Sequence, residues 1–480
     1  MINNLRKLRI ENELSISELA NLCNVTESYI TKIENGGYKI TKNMQKKLTK
    51  VLNVNPEDLY FKEINGIHLE PNDATFANNK RESIHRWYPY IEGFSQGFVE
   101  EILKKHPNNV TVYDPFNGSG TTTLTCAFNN INSFYSEINP FMRFVANTKV
   151  NTVKYLIEKK KITEFYKEIK SFEHYYKSKL NNNIDIYKYI NSCYKNSNYF
   201  SEKNLQQIAT IKKYYLNIQN KHIQDLFALA LGGILVECSN MIRSVDLRRR
   251  KNREIERIET DIYIRFSEQL NKMLNDIESI KSEKISHSYL LNTNAKEILN
   301  QYRNKMDIII TSPPYVNGTN YFRNTKLELW ILDFIETDSD LKAFRTKAVT
   351  AGINNVSKEI GHIKTMDFVE LYATKLDEVS KDSRIPKLIR AYFSDMYKVF
   401  NNFNQLLKLN GEIYFDIGDS QYYGVHIPVD ELMSKIATLN GFEEISNKTI
   451  RNRRSKNGML LSQKVILYKK KREVAQFGHL

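Results

Sequence analysis

The residues best equipped for chemistry are Ser312-Pro313-Pro314-Tyr315, which follow the run Ile308-Ile309-Ile310-Thr311. Three consecutive isoleucines predict a strand buried on both faces, as in a parallel sheet. The prolines lack backbone N–H groups and fix φ, so the strand must give way to a rigid turn. Ligands of open α/β sheets bind at such carboxyl ends. The turn offers the Ser312 hydroxyl, a Pro313 carbonyl that no ladder claims, and the aromatic face of Tyr315. That set suits a planar ring bearing an amino group. The same residues also suit a turn that only caps a strand, so other parts of the chain must decide.

A second strand end carries a second candidate. Val110-Thr111-Val112-Tyr113 predicts a strand that runs into Asp114-Pro115-Phe116-Asn117-Gly118-Ser119-Gly120-Thr121-Thr122-Thr123. Gly118 and Gly120 let backbone approach a ligand closely, and the helix opening there leaves N–H groups free. The loop has neither the Gly-Lys-Ser/Thr of a phosphate loop nor the GxGxxG dinucleotide spacing. A further strand, Ser133 to Ser136, ends at Glu137, 23 residues after Asp114. A carboxylate there can accept hydrogen bonds from ribose hydroxyls. Upstream, residues 83–95 gather Trp87, Tyr88, Tyr90 and Phe94 around Pro89 and end in Ser95. This stretch is either a core-forming segment or a wall against a bound cofactor.

The 480 residues allow two or three domains with a sizeable core. Lysine and arginine number 70 against 55 acidic residues, a net charge of +15. Such a surplus favours a polyanionic partner, nucleic acid first, with an acidic membrane surface giving the same bulk signal. No apolar run is long enough to span a bilayer, and the N-terminus has no signal-peptide core. The four cysteines form no CxxC pair, so neither a zinc site nor a disulfide framework is expected, and the setting is a reducing cytoplasm.

The first 62 residues read as short helices. Ser15 and Glu18 stand at capping-box spacing, Cys23-Asn24-Val25 makes a turn, and Thr26 caps a second helix, 27–35, ended by Gly36-Gly37. Another helix spans 43–52. The run Ser17-Glu18-Leu19-Ala20 … Val25-Thr26-Glu27-Ser28-Tyr29-Ile30-Thr31-Lys32-Ile33 resembles the phage-repressor class of helix-turn-helix domain. That resemblance implies that Thr26, Glu27, Ser28, Tyr29 and Lys32 face the major groove, over a core of Leu19, Ala20, Val25, Ile30 and Ile33. A helical bundle used for dimerisation or protein contact is the alternative. A polar linker is expected over 63–82.

The Asp114–Thr122 loop is similar to the S-adenosylmethionine loop of DNA amino-methyltransferases, and Ser312-Pro313-Pro314-Tyr315 to their catalytic tetrapeptide. The resemblance implies a Rossmann-like α/β methyltransferase sheet, with its cofactor half at 83–150 and its catalytic half at 288–470. Asp114, Pro115, Phe116, Asn117, Gly118, Ser119, Gly120, Thr121 and Thr122 would hold the methionine part of S-adenosyl-L-methionine. Glu137 would take the ribose, while Trp87, Tyr90, Phe94 and Ser95 close over the methionine end. Asn294 stands where the family usually has an acid near the adenine ring.

Between the halves, 151–287 predicts a mainly helical insertion, where the resemblance implies target recognition. Tyr166, Tyr175, Tyr176, Tyr187, Tyr189, Tyr194 and Tyr199 alternate with lysines there, either to bind nucleic acid or to pack a bundle. Arg248-Arg249-Arg250-Lys251 and Arg253 are phosphate candidates, as is Arg453 in a basic loop between the last two strands. A loop follows the tetrapeptide, and 338–364 reads as irregular and able to reach DNA. Residues 471–480 form a tail.

The exocyclic amino group of cytosine or adenine is a poor nucleophile, because its lone pair is conjugated into the ring. The Ser312 hydroxyl and Pro313 carbonyl would accept its N–H bonds, and Tyr315 would stack on a base flipped from the duplex. A cytosine C5 enzyme needs a Pro-Cys nucleophile, and no cysteine follows a proline here. Serine at the first position resembles the cytosine-N4 members, with adenine N6 as the alternative. A repressor with a sensor-like or inactive methyltransferase body, and methylation of RNA or a protein amide, are further alternatives. Implied partners are double-stranded DNA, a cognate restriction endonuclease and a second copy through the helix-turn-helix, with no membrane.

Overall fold

The computed structural model describes the chain except residues 1–4, 6–7, 10–11, 13, 35–37, 60–66, 68, 70–71, 90–92, 179–183, 244–245, 252–260, 282–283, 298–299, 317–321, 357–362, 364, 455–459 and 475–480, and the side chains of Glu57, Asp58, Arg453, Arg454 and Leu460. Gly36, Gly37, Tyr90 and Arg253 therefore lie outside the described residues.

Seven strands form the central sheet: β1 (Val112–Asp114), β2 (Ser133–Ser136), β3 (Ser288–Asn292), β4 (Met306–Thr311), β5 (Leu407–Gly418), β6 (Phe442–Arg454) and β7 (Leu460–Lys470). Their spatial order is β6-β7-β5-β4-β1-β2-β3. The first five pair in parallel, and β7 runs against its neighbours β5 and β6. From β1 the chain builds outward through β2 and β3, then returns to add β4 and β5 on the other side. The order reverses between β1 and β4, which opens a crevice at their carboxyl ends. This is the Rossmann-like, mostly parallel sheet expected.

The isoleucine run is apolar throughout because both faces of β4 are covered. Ile309 packs with Leu388, Tyr392, Phe393, Met396 and Phe400 of the long helix Arg384–Leu406. Ile308 and Ile310 point the other way, onto Phe98, Val99 and Ile102 of helix Gln96–Leu103. Each such buried side chain stabilises the fold by about 1.5–3 kcal/mol before entropy is subtracted.

The insertion is mainly helical, as expected, with helices Val153–Glu158, Ile162–Lys177, Glu202–Tyr215, Lys221–Ile234 and Ile262–Glu278. Phe172, Phe227 and Phe266 meet edge to face at its centre. Tyr175, Tyr176, Tyr189, Tyr194 and Tyr199 pack against this core, whereas Tyr166 and Tyr187 are exposed. Most of the tyrosine–lysine alternation is thus bundle packing. The insertion also contains a hairpin, Met241–Arg243 with Leu247–Arg249, which its sequence did not announce.

Two other expectations change. The supposed linker is built into the body over 72–80: Ala74, Phe76 and Asn79 are buried. The Asn79 amide donates to the Phe94 carbonyl (3.2 Å) and Thr121 Oγ1 (3.3 Å), and accepts from the Gln96 N–H (2.7 Å). A polar sequence reads as solvated, yet this side chain finds its partners inside the protein. Residues 338–347 form a helix, opened by a Thr337–Asp340 capping box, instead of an irregular stretch.

At the N-terminus, helices Ile16–Cys23, Glu27–Glu34 and Lys42–Leu52 enclose Leu19, Ala20, Ile30, Ile33 and Leu48. The Ser15–Glu18 capping box is present, and Thr26 Oγ1 accepts from the Tyr29 N–H at 3.2 Å. The buried Arg9 guanidinium pairs with Glu34 at 2.7 Å and fixes the second helix of the motif from behind. Among the described residues, no helix is long and apolar enough to cross a membrane.

Candidate active site

The carboxyl ends of β1 to β5 converge on one cavity of about 450 Å³. The Asp114–Ser119 loop and Thr121 form one wall, and Ser312-Pro313-Pro314-Tyr315 the wall beside it. Glu137 and Asn294 line it from the ends of β2 and β3, and Phe94 also lines it. The two motifs, nearly 200 residues apart in sequence, are neighbours because β1 and β4 pair directly, Val112 beside Ile308.

Asp114 couples them. Its carboxylate accepts from Thr311 Oγ1 (2.8 Å), Thr122 Oγ1 (2.6 Å) and the Phe116 N–H (3.0 Å). The residue before the tetrapeptide is therefore tied to the glycine loop. Burial pushes the Asp114 carboxyl up to about 6. Burial likewise raises Glu137 to about 7, although the Gly118 and Asn139 N–H groups each donate to it at 2.8 Å. Asn117 directs its Oδ1 to Thr123 at 3.2 Å. Its Nδ2 is buried with no hydrogen-bond partner among the described residues, a donor suited to a ligand's acceptor.

The glycines divide the work. Gly118 lines the cavity with φ +50°, whereas Gly120, with φ +89°, faces Ala146 on the helix behind. That helix, Pro140–Asn147, continues into a π turn at Thr148–Thr152. The turn delivers Lys149, whose buried ammonium donates to the Ser119 and His85 carbonyls at 3.3 and 3.1 Å. Lys149 thus braces the loop from beneath, and burial lowers its pKa to about 7.

Tyr315 Oη donates to Asp416 Oδ2 at 2.9 Å and lies 3.5 Å from Ser312 Oγ. Asp416 sits near the end of β5, opposite Val465 of β7. Two residues before Val465, Gln463 points to the same face and donates to Asp416 Oδ1 at 2.9 Å, to Tyr315 Oη at 3.0 Å and to the Ala74 carbonyl at 2.9 Å. Burial pushes the Asp416 carboxyl up to about 6, against the pull of hydrogen bonds from Gln463, Tyr315 and Ser312. A hydroxyl pair leading to a buried carboxylate is a route for a proton away from whatever Ser312 binds. Asp416 and Gln463 were not singled out from sequence. The available signal was an acid inside Ile413-Tyr414-Phe415-Asp416-Ile417, a run otherwise without charge.

The chain resembles known proteins over most of its length. Over 405 residues the chain is 25% identical to the type II methyltransferase M.AvaI of Nostoc sp., covering 77% of this chain and 81% of that protein. Over 446 residues it is 25% identical to the type II methyltransferase M.BsoBI of Geobacillus stearothermophilus, covering 81% and 84%. The chain is thus similar over most of its length to type II methyltransferases. Residues 5–59 match the Helix-turn-helix family model HTH_3. A SAM-dependent methyltransferase structure from Methanosarcina mazei aligns at TM-score 0.29 and 8% identity, over 78% of this chain and 97% of that one.

Several expected site residues lie outside the cavity. Trp87 does not line it: the indole is buried in the insertion core, its Nε1 donating to Asp276 Oδ2 at 2.9 Å. Asp276 also receives the Ile84 N–H at 2.9 Å and the Arg86 guanidinium, so residues 84–87 are anchored in the insertion, while Phe94 of the same stretch lines the cavity. Ser95 caps helix Gln96–Leu103 and donates to Asp73 at 2.8 Å. Gly120 and Thr122 stand behind the wall rather than in it. Residues 348–355 instead supply Ala348, Val349, Ala351 and Asn355 to the lining.

On the helix-turn-helix, Thr26, Glu27, Ser28 and Lys32 are exposed, and Tyr29 is half-buried against Tyr38. Arg250 is occupied: its guanidinium donates to the carbonyls of Val236, Glu237, Ser239 and Met241, holding the hairpin to the end of a helix. Carbonyls at a helix terminus need such donors. Arg249 donates to the Ser197 carbonyl and lies 5.7 Å over Tyr199, while Arg248 donates to the Arg249 carbonyl at 3.0 Å. Arg453 falls in β6, its side chain outside the described residues.

Proposed function

We propose that this chain is a site-specific DNA methyltransferase that transfers the methyl group of S-adenosyl-L-methionine to N4 of cytosine in duplex DNA. One observation carries the reading: the glycine loop and the Ser-Pro-Pro-Tyr turn line a single cavity, and the turn is hydrogen-bonded to a buried carboxylate. The residues fit the cofactor. Gly118 leaves room at the loop, Asn117 Nδ2 supplies a buried donor, and Glu137 Oε1 and Oε2 keep lone pairs beyond those used by N–H groups.

S-adenosylmethionine, when bound, supplies an electrophilic methyl group on a sulfonium. The chain's own residues prepare the amine. The Pro313 carbonyl and Ser312 Oγ accept its two N–H bonds, which draws the nitrogen lone pair out of conjugation. Tyr315 presents its ring to the base while its hydroxyl stays on Asp416. As the N–C bond forms, the methyl–sulfur bond breaks and its electron pair stays on sulfur as a neutral thioether; the amine loses one proton to Ser312 Oγ, and the Ser312 proton passes to Asp416 directly or through Tyr315 Oη. The carboxylate ends protonated, so charge and protons balance.

Serine at position 312 favours cytosine N4 over adenine N6. Mass spectrometry of nucleosides from DNA methylated by the purified chain is expected to give N4-methylcytosine. Methyladenine as the sole product overturns the base assignment, and no transfer to any duplex favours the repressor reading.

The helix-turn-helix serves separately, by binding an operator at the chain's own promoter, alongside a restriction-modification or solitary role. Deleting residues 1–62 is expected to abolish promoter binding in a gel-shift titration while methylation persists. Loss of both would assign the domain to target recognition instead.

A further inference from the structure

Beside the active site lies a second cavity of about 260 Å³, lined by Tyr199, Met241, Leu247, Arg323, Lys326 and Arg345. Half of these described lining residues are cations and none is a carboxylate. Two come from the insertion hairpin, and the cations come from the segment that follows the tetrapeptide. We propose that this cavity takes a backbone phosphate of the DNA strand beside the target nucleotide and sets the flipped base over Ser312. The proposal rests on the methyltransferase reading above and adds to it the place where the strand is gripped.

Position argues for it. Phe322 and Thr325 line the active-site cavity, while Arg323 and Lys326, each the next residue along, line the basic one. Neighbouring Cα atoms are about 3.8 Å apart. One short segment therefore presents neighbouring side chains to the two cavities, which puts the second within reach of a strand whose base enters the first.

Chemistry agrees. The Arg323 guanidinium is half-exposed, held at 3.0 Å by Asp246 on the hairpin turn. Lys326 Nζ sits 4.0 Å over the Tyr194 ring and 3.4 Å from the exposed carboxylate of Asp338. Both cations are thus oriented by rim partners outside the lining. Arg345 Nε is buried with no hydrogen-bond partner among the described residues. A phosphate oxygen accepts several such donors at once, and arginine's fork matches it. Arg249, stacked on Tyr199, extends the positive rim.

The test is duplex binding by full-length Lys326→Gln/Arg345→Gln, titrated by fluorescence anisotropy across a salt series. Removing the cations from one phosphate should reduce the slope of log affinity against log salt by about 0.9. We expect the double variant to bind at least about tenfold more weakly at low salt, with a shallower slope and unchanged affinity for S-adenosylmethionine. Lys326→Arg should keep the wild-type slope. Should the double variant lose cofactor binding through misfolding, half-exposed Arg323→Gln reads the same slope. Slopes equal to wild type with cofactor affinity intact overturn the proposal. Failure of the methyltransferase reading is seen separately, as no methyl transfer by the wild type, and the binding slopes still judge the cavity.

Discussion

Asp416→Asn is expected to slow single-turnover methyl transfer by about 10²–10⁴-fold, the usual contribution of a positioned acid or base. Asparagine has nearly the same shape and can still accept the Tyr315 hydroxyl, so the tetrapeptide should hold its place. What it cannot do is take the proton released as the N–C bond forms. Affinity for S-adenosylmethionine should therefore be retained, and a variant that loses it would point to a structural role. The same carboxyl sets a pH dependence. Its pKa is pushed up to about 6 by burial, and its charged form is the proton acceptor. The wild-type rate, at saturating cofactor and DNA, should thus be level above pH 6 and fall about tenfold per unit below it. Asp416→Asn should show no such inflection. Glu137, raised to about 7, acts on a different quantity. If it accepts from cofactor hydroxyls, KM for the cofactor should rise as pH falls through about 7, while the saturated rate does not follow. A rate profile in the variant that keeps the wild-type bend near pH 6 would remove Asp416 from the proton route.

Much of the site was legible because strand ends and helix starts leave local marks. Prolines at 313 and 314 stop a strand wherever they occur, and the glycines at 118 and 120 take the positive φ that the turn requires. Ser15 and Glu18 mark a helix start within four residues, and the box formed as read. Asp416 and Gln463 left no such mark. Their meeting depends on the register between β5 and β7, which no short window of sequence contains. Residues 72–80 misled in the opposite direction: Asn79 is polar, yet its amide replaces water for three groups around the glycine loop. Arg250 misled in the same way. A run of cations suggests phosphate, but the carbonyls just beyond helix Lys221–Ile234 claimed this one first.

Gly120→Ala is expected to weaken S-adenosylmethionine binding by at least about tenfold, although Gly120 does not line the cavity. An added Cβ would stand 3.0 Å from Ala146 Cβ and 3.1 Å from Ala146 Cα. The second of these is backbone within a helix, so it cannot swing aside. The φ of +89° adds a cost of roughly 1–2 kcal/mol for any residue with a side chain. The loop must then lift off the helix, and what lifts with it is specific. Ser119 would leave Lys149, whose buried ammonium would lose one of its two carbonyl partners. Thr122 would draw away from Asp114, and Asp114 is also the anchor of Thr311. One methyl group behind the wall should therefore disturb both motifs at once. Calorimetric titration of the cofactor and the single-turnover rate should fall together in this variant, whereas Asp416→Asn loses rate alone. Wild-type affinity in Gly120→Ala would show that the loop can shift without its supports, and that the coupling through Asp114 and Lys149 does not govern the cofactor wall.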